Sequence, residues 1–105
     1  MSEHIKKISE DHFESTIQKG VTLVDFYADW CGPCRVLTPH LETVAKELAG
    51  EVSFVKLDVD QAQKVASTYQ VTSVPTLILF KDGKEKGRIV GVRDAKALKE
   101  FILNS

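Results

Sequence analysis

The apolar positions change period several times along the chain, and each change marks an element. Ile5 and Ile8 flank a short candidate strand. Ser9 then stands where a helix N-cap belongs, with Glu10 and Asp11 in the first turn, where the helix dipole favours acidic side chains. Phe13 and Ile17 share one helical face, and Gly20 after Lys19 is a stop signal, so a first helix is predicted over about Glu10–Lys19. The run Val21 to Tyr27 is apolar almost throughout. A strand covered on both faces reads this way, which predicts a parallel sheet with helices on either side. Asp25 is the one charge inside that run.

From Cys34 the spacing turns helical, through Leu37, Leu41, Val44, Ala45 and Leu48, and Gly50 closes the helix. Pro39 within it removes a backbone donor and crowds the preceding turn, so a kink is expected there. Val52 to Val59 reads as a third strand. Asp60 and Gln63 have the spacing of a capping box for a short helix with Val65, Ala66 and Tyr69 on its inner face. A loop, Val71 to Pro75, leads to a fourth strand, Thr76–Phe80. Asp82-Gly83 is a two-residue hairpin signal that pairs a fifth strand, about Lys84–Val90, antiparallel to the fourth. Gly87 marks a bulge or bend in it. Asp94 caps a last helix carrying Leu98, Phe101 and Ile102. The order is βαβαβα followed by ββα. Right-handed crossovers in the first part and a hairpin in the second predict an α/β fold, with a five-stranded mixed central sheet flanked by four helices.

Composition narrows the possibilities. A chain of 105 residues is expected to form one domain, 1–105, and 43% hydrophobic residues suffice for a core. A formal net charge of −1 gives no electrostatic reason to expect nucleic acid or an anionic membrane as a partner. The run from Met1 to Lys7 lacks a signal-peptide apolar core, and no stretch approaches the ~20 apolar residues of a membrane span, so a cytoplasmic location is the expectation. Two cysteines are too few for a disulfide scaffold.

Both cysteines stand in Trp30-Cys31-Gly32-Pro33-Cys34, between a predicted strand and a predicted helix. A Cys-x-x-Cys pair so placed reads as a redox site. Two other readings stay open on the residues alone. One is a structural disulfide, which would stabilise by only about 2 kcal/mol because the loop is short. The other is half of a zinc site, which needs two further ligands; His4, His12 and His40 show no ligand spacing with the pair.

More of the chain falls into one pattern. Val24-Asp25-Phe26-Tyr27-Ala28 precedes the cysteines, Pro39 lies in the following helix, Val74-Pro75-Thr76 precedes the fourth strand and Gly91 follows the fifth. Together with the Trp-Cys-Gly-Pro-Cys run, the chain resembles the thioredoxins along nearly its whole length. The resemblance implies the thioredoxin fold and a general protein-disulfide reductase that carries electrons in cell redox homeostasis. It makes Cys31 the nucleophile, facing the substrate at the start of a helix where a thiolate is stabilised, and Cys34 the resolving thiol, waiting inside. Asp25 becomes a buried acid that accepts the proton of Cys34, with Lys56 beside it as a modulator. Pro75 becomes a cis-proline packed against the disulfide. Trp30, Gly32, Pro33, Val74, Pro75 and Gly91 form the substrate-docking surface.

The resemblance further implies no bound cofactor and no metal. NADPH is used indirectly, through a flavin-containing thioredoxin reductase. Ribonucleotide reductase, peroxiredoxins and methionine sulfoxide reductases are the implied clients, and a monomer is the implied state. Plainer roles compete at several positions. They are a carboxylate held only by structural hydrogen bonds at Asp25, a lysine reaching solvent at a sheet edge at Lys56, a core aromatic at Trp30 and an ordinary turn glycine at Gly91. Tyr27, Arg35 and His40 are mild departures from the commonest family pattern. Two rival functions keep the fold: a disulfide donor or isomerase of an oxidising compartment, and a binding module whose thiols are incidental.

Overall fold

The strand Val21–Tyr27 lies in the middle of the sheet and carries the rest of the molecule on both of its faces. The computed structural model describes residues 3–105, so Met1 and Ser2 of the N-terminal run fall outside it. In chain order the elements are β1 (Ile5–Lys7), a 3-10 turn (Glu10–His12), α1 (Phe13–Ile17), β2 (Val21–Tyr27), α2 (Gly32–Glu47), β3 (Ser53–Asp58), α3 (Gln63–Thr68), β4 (Thr76–Lys81), β5 (Lys84–Val90) and α4 (Ala95–Asn104). The sheet order is β1-β3-β2-β4-β5. β1, β2 and β3 are parallel, β4 pairs antiparallel with β2 and β5 pairs antiparallel with β4, so the sheet is mixed as expected. Among the described residues no helix is long and apolar enough to cross a membrane.

Side chains alternate across a strand, and in β2 both sets are apolar, so both faces need cover. Leu23 joins Leu37, Leu41 and Val44 of α2 and Leu98 and Ile102 of α4 on one face. Val24 and Phe26 join Phe13 and Ile17 of α1 on the other, where Val65 and Tyr69 of the α3 segment also pack. On that second face Phe13, Tyr69 and Phe80 meet as three aromatic pairs with centroids 5.3 to 5.7 Å apart.

The first helix is shorter than its apolar spacing predicts. Glu10–His12 form a 3-10 turn and the α-helix spans five residues. Ser9 has the extended backbone of an N-cap, but its side chain does not cap; its Oγ lies 2.9 Å from His12 Nδ1. The end comes early because the β4–β5 hairpin takes over the chain there. Gly83 N–H donates to the Ile17 carbonyl at 2.9 Å, and Gly20 N–H donates to Asp82 Oδ1 at 2.8 Å.

The Asp60/Gln63 capping box does not form either. Ala62 is the N-cap of α3 and offers no side-chain bond. The Val65 N–H donates instead to Glu10 Oε2 at 2.9 Å, 55 residues away in sequence. The Asp60 carboxylate is engaged elsewhere, as described below.

Other signals act as predicted. Asp82 and Gly83 have φ of +50° and +86°, the pair of positive values that a two-residue hairpin turn demands. Register shifts between Leu79, opposite Gly87, and Phe80, opposite Glu85, which places a bulge beside Gly87. A Cβ at Gly87 would stand 3.1 Å from the Phe101 ring, so α4 packs close here and the ring would have to shift slightly for another residue. Asp94 caps α4, its Oδ1 accepting from Ala97 N–H at 2.9 Å. Helix α2 starts at Gly32, runs on across Pro39 and ends at Glu47, three residues before Gly50.

Candidate redox site

The site forms where β2 ends and α2 begins. The chain leaves β2 through Ala28, whose carbonyl accepts from Cys31 N–H at 3.2 Å. Cys31 has extended backbone (φ −87°, ψ 110°) and is the N-cap of α2. Its Sγ accepts from Cys34 N–H at 3.1 Å, a sulfur doing what a serine or aspartate oxygen does at most helix starts. Pro33 falls in the first turn, where a missing N–H costs nothing. Cys31 and Cys34 are joined as a disulfide with Cα atoms 5.3 Å apart.

Exposure does not set the two cysteines apart. The two are about equally buried, at 3% and 5% exposure. What distinguishes them is their polar surroundings. Cys31 Sγ takes the helix N–H, whereas Cys34 lines a cavity of about 170 Å³ together with Asp25, Tyr27, Asp29, Arg35, Thr38 and Lys56.

Asp25 is brought there by strand alternation. It shares the α2 face of the sheet with Leu23 and is flanked by its register partners Lys56 on β3 and Leu77 on β4. It is 5% exposed, and Oδ1 finds no hydrogen-bond partner among the described residues. Burial pushes the Asp25 carboxyl up to about 7, against the smaller opposing pull of the Lys56 charge.

Lys56 does not sit at a sheet edge, because β3 lies between β1 and β2. It is half-buried, and its Nζ lies 5.1 Å from the centroid of the Tyr27 ring. Arg35 folds back over the same region, with Nη2 donating to the Asp29 carbonyl at 2.6 Å. Arg35 and Tyr27 stand out in the sequence only as mild departures, yet both line the cavity.

Trp30 is 68% exposed, which rules out the core-aromatic role. Its Nε1 donates to Asp60 Oδ2 at 2.8 Å, and this ties the indole to the segment after β3. Asp60 is the residue that the sequence reading missed, because its helix-capping spacing pointed elsewhere. Val74 packs against the cluster of Tyr27, Ala28, Cys31 and Cys34. The Val74–Pro75 bond is cis, and the Pro75 carbonyl accepts from Gly91 N–H at 2.9 Å. Gly91 has φ +95°, a conformation that favours glycine. Nothing crowds the Cβ position of Gly32. Trp30, Gly32 and Pro33 are therefore exposed around the disulfide, and Val74, Pro75 and Gly91 are joined through one backbone bond. Among the described residues no three His, Cys, Asp or Glu side chains gather as metal ligands.

Comparison with known proteins bears on the same residues. The family model described as Thioredoxin matches residues 4–104. The chain is 53% identical over 100 residues to a protein named Thioredoxin from Chlamydia pneumoniae, covering 95% of this chain and 93% of that one. It is 47% identical over 98 residues to a Thioredoxin of Chlamydia trachomatis serovar D, covering 93% and 95%. A solved mutant thioredoxin from Halobacterium salinarum superposes with a TM-score of 0.86 at 40% identity, covering 99% of this chain and 93% of that one. The chain therefore belongs to the thioredoxin family, a family of disulfide oxidoreductases, and Cys31 and Cys34 are its dithiol–disulfide pair.

Proposed function

We propose that the protein works as a general protein-disulfide reductase in which Cys31 attacks and Cys34 resolves. The Cys31 thiolate attacks one sulfur of a client disulfide; a mixed disulfide forms and one client thiolate leaves. Cys34 then loses its proton to Asp25 and attacks the Cys31 sulfur. That closes the Cys31–Cys34 disulfide, releases the second client thiol and transfers two electrons to the client. Lys56 modulates the Asp25 carboxylate through its charge. Trp30, Gly32, Pro33, Val74, Pro75 and Gly91 form the surface on which the client backbone docks. The dithiol is restored by a flavin-containing thioredoxin reductase using NADPH. Ribonucleotide reductase, peroxiredoxins and methionine sulfoxide reductases are the client classes, met by a monomer in the cytoplasm.

One observation carries the assignment of roles: the Cys31 sulfur caps α2 while Cys34 lines a cavity together with Asp25. A thiolate at Cys31 gains from an N–H donor and the positive end of the helix. A thiol at Cys34 gains from a nearby base. The test is trapping. Cys34→Ser should accumulate a mixed disulfide between Cys31 and an oxidised client, and Cys31→Ser should not. Stable trapping through Cys34 instead would reverse the roles. An equilibrium potential of the pair near that of strong disulfide donors would favour the oxidant reading over the reductase.

A further inference from the structure

Tyr27 closes β2 on the face that also carries Asp25, two residues earlier, and its ring packs in one cluster with Ala28, Cys31 and Cys34. The Lys56 ammonium lies over that ring, 5.1 Å from its centroid. Lys56 is at the same time the register partner of Asp25 and lines the cavity that Asp25 and Cys34 share. A half-buried lysine has two places for its charge. Its flexible stem can carry the ammonium out to water, or the ammonium can rest on an aromatic face. Here it rests on Tyr27. A second cation, Lys7 on β1, is the register partner of Lys56.

The geometry points to Tyr27 as a positioning residue of the redox site, whose ring holds the Lys56 ammonium at the cavity so that its charge bears on the Asp25 carboxylate. Asp25 itself is reached by few other groups. Cys34 and Arg35 come from α2, Asp29 comes from the loop after β2, and β4 contributes the apolar Leu77. Arg35 is tied to the Asp29 carbonyl. Lys56 is thus the cation beside Asp25 on its neighbouring strand, and Tyr27 fixes where that cation stands. Tyr27 thereby lowers, through Lys56, the pH at which Asp25 becomes a base. The consequence for turnover rests on the reading of Asp25 as proton acceptor; the positioning itself does not.

The experiment is a direct titration of the Asp25 carboxyl by carbon NMR in the disulfide form. Tyr27→Leu should raise the midpoint by about half a pH unit, roughly a threefold change in the ionisation equilibrium. Tyr27→Phe, which keeps the ring, should match the wild type. In a Lys56→Met background, Tyr27→Leu should add nothing. Tyr27→Met serves the same purpose should the leucine variant fold poorly. An unchanged or lowered midpoint in the non-aromatic variants overturns the proposal. So does a Tyr27→Phe shift as large as that of Tyr27→Leu, or the same shift without Lys56. Asp25→Asn kinetics decide the separate matter: a resolving step untouched by that change would remove the proton-acceptor role while leaving the titration result standing.

Discussion

At the scale of the residue, Asp25 is the buried carboxyl that the site is built around. Its carboxyl sits at about 7 in the folded protein against an ordinary value of 3.8, with burial the dominant cause. Two predictions follow from the sign of that shift. Asp25 accepts a proton only when ionised, so the resolving step should accelerate as pH rises through about 7. Asp25→Asn should abolish that step in the pH profile and slow resolution more than mixed-disulfide formation. Rapid-mixing kinetics across pH 5 to 9 separate the two rates, and equal slowing of both would count against the role.

The second prediction concerns stability. A carboxyl whose folded value is raised holds its proton more tightly when folded, so folding is favoured by it least at high pH. The cost is absent below about pH 4, grows as pH rises and is complete above about 7. Its upper limit is roughly 4 kcal/mol, the free energy equivalent of the interval from 3.8 to about 7. Relative to the wild type, Asp25→Asn should therefore gain stability between pH 4 and pH 8, measured by denaturant unfolding at each pH. Asp25 was legible in the sequence because a lone charge in an apolar strand is conspicuous. The Trp30–Asp60 bond and the Lys56–Tyr27 contact were not, because each joins residues about 30 positions apart that come together only once β2 and β3 lie side by side.

At the scale of the element, local signals held where local groups had no better partner. Asp94 and Ser9 look alike in the sequence, each an N-cap type before a helical pattern. Asp94 does cap, its carboxylate taking the Ala97 N–H, whereas the Ser9 hydroxyl turns to the His12 ring. Asp94→Ala should therefore cost about 1 kcal/mol of stability. Ser9→Ala should cost well under half of that, since only an exposed side-chain bond is lost. Chemical denaturation of the two variants side by side measures the difference, and equal losses would show that the caps do not differ in solution. The same logic explains the first helix and the third. Their boundaries depend on Gly83 and Glu10, which reach them from 66 and 55 residues away, and no local window contains that information.

At the scale of the whole molecule, the sheet separates two jobs. The element order was readable from period changes, and the mixed sheet from the Asp-Gly hairpin. The strand order β1-β3-β2-β4-β5 was not, because a helical crossover can place the next strand on either side of the last. That order puts β2 at the centre, with α2, the disulfide and Asp25 on one face. The opposite face holds Phe13, Phe26, Tyr69 and Phe80 in an aromatic cluster, across the sheet from the disulfide and the Asp25 side chain. Phe13 is fully buried there, so Phe13→Ala should cost about 3 to 5 kcal/mol through lost burial and the cavity left behind. That is a large part of the ~5 to 15 kcal/mol typical of a domain. Yet the oxidised and reduced forms should lose nearly the same amount, because neither the cap on the Cys31 sulfur nor the cavity below Cys34 involves that face. Unfolding both forms of Phe13→Ala measures the two losses. Any difference between them must, by linkage, equal the change in the thiol–disulfide equilibrium. A variant that shifted that equilibrium more than threefold would show that the sheet transmits packing to the active site rather than insulating it.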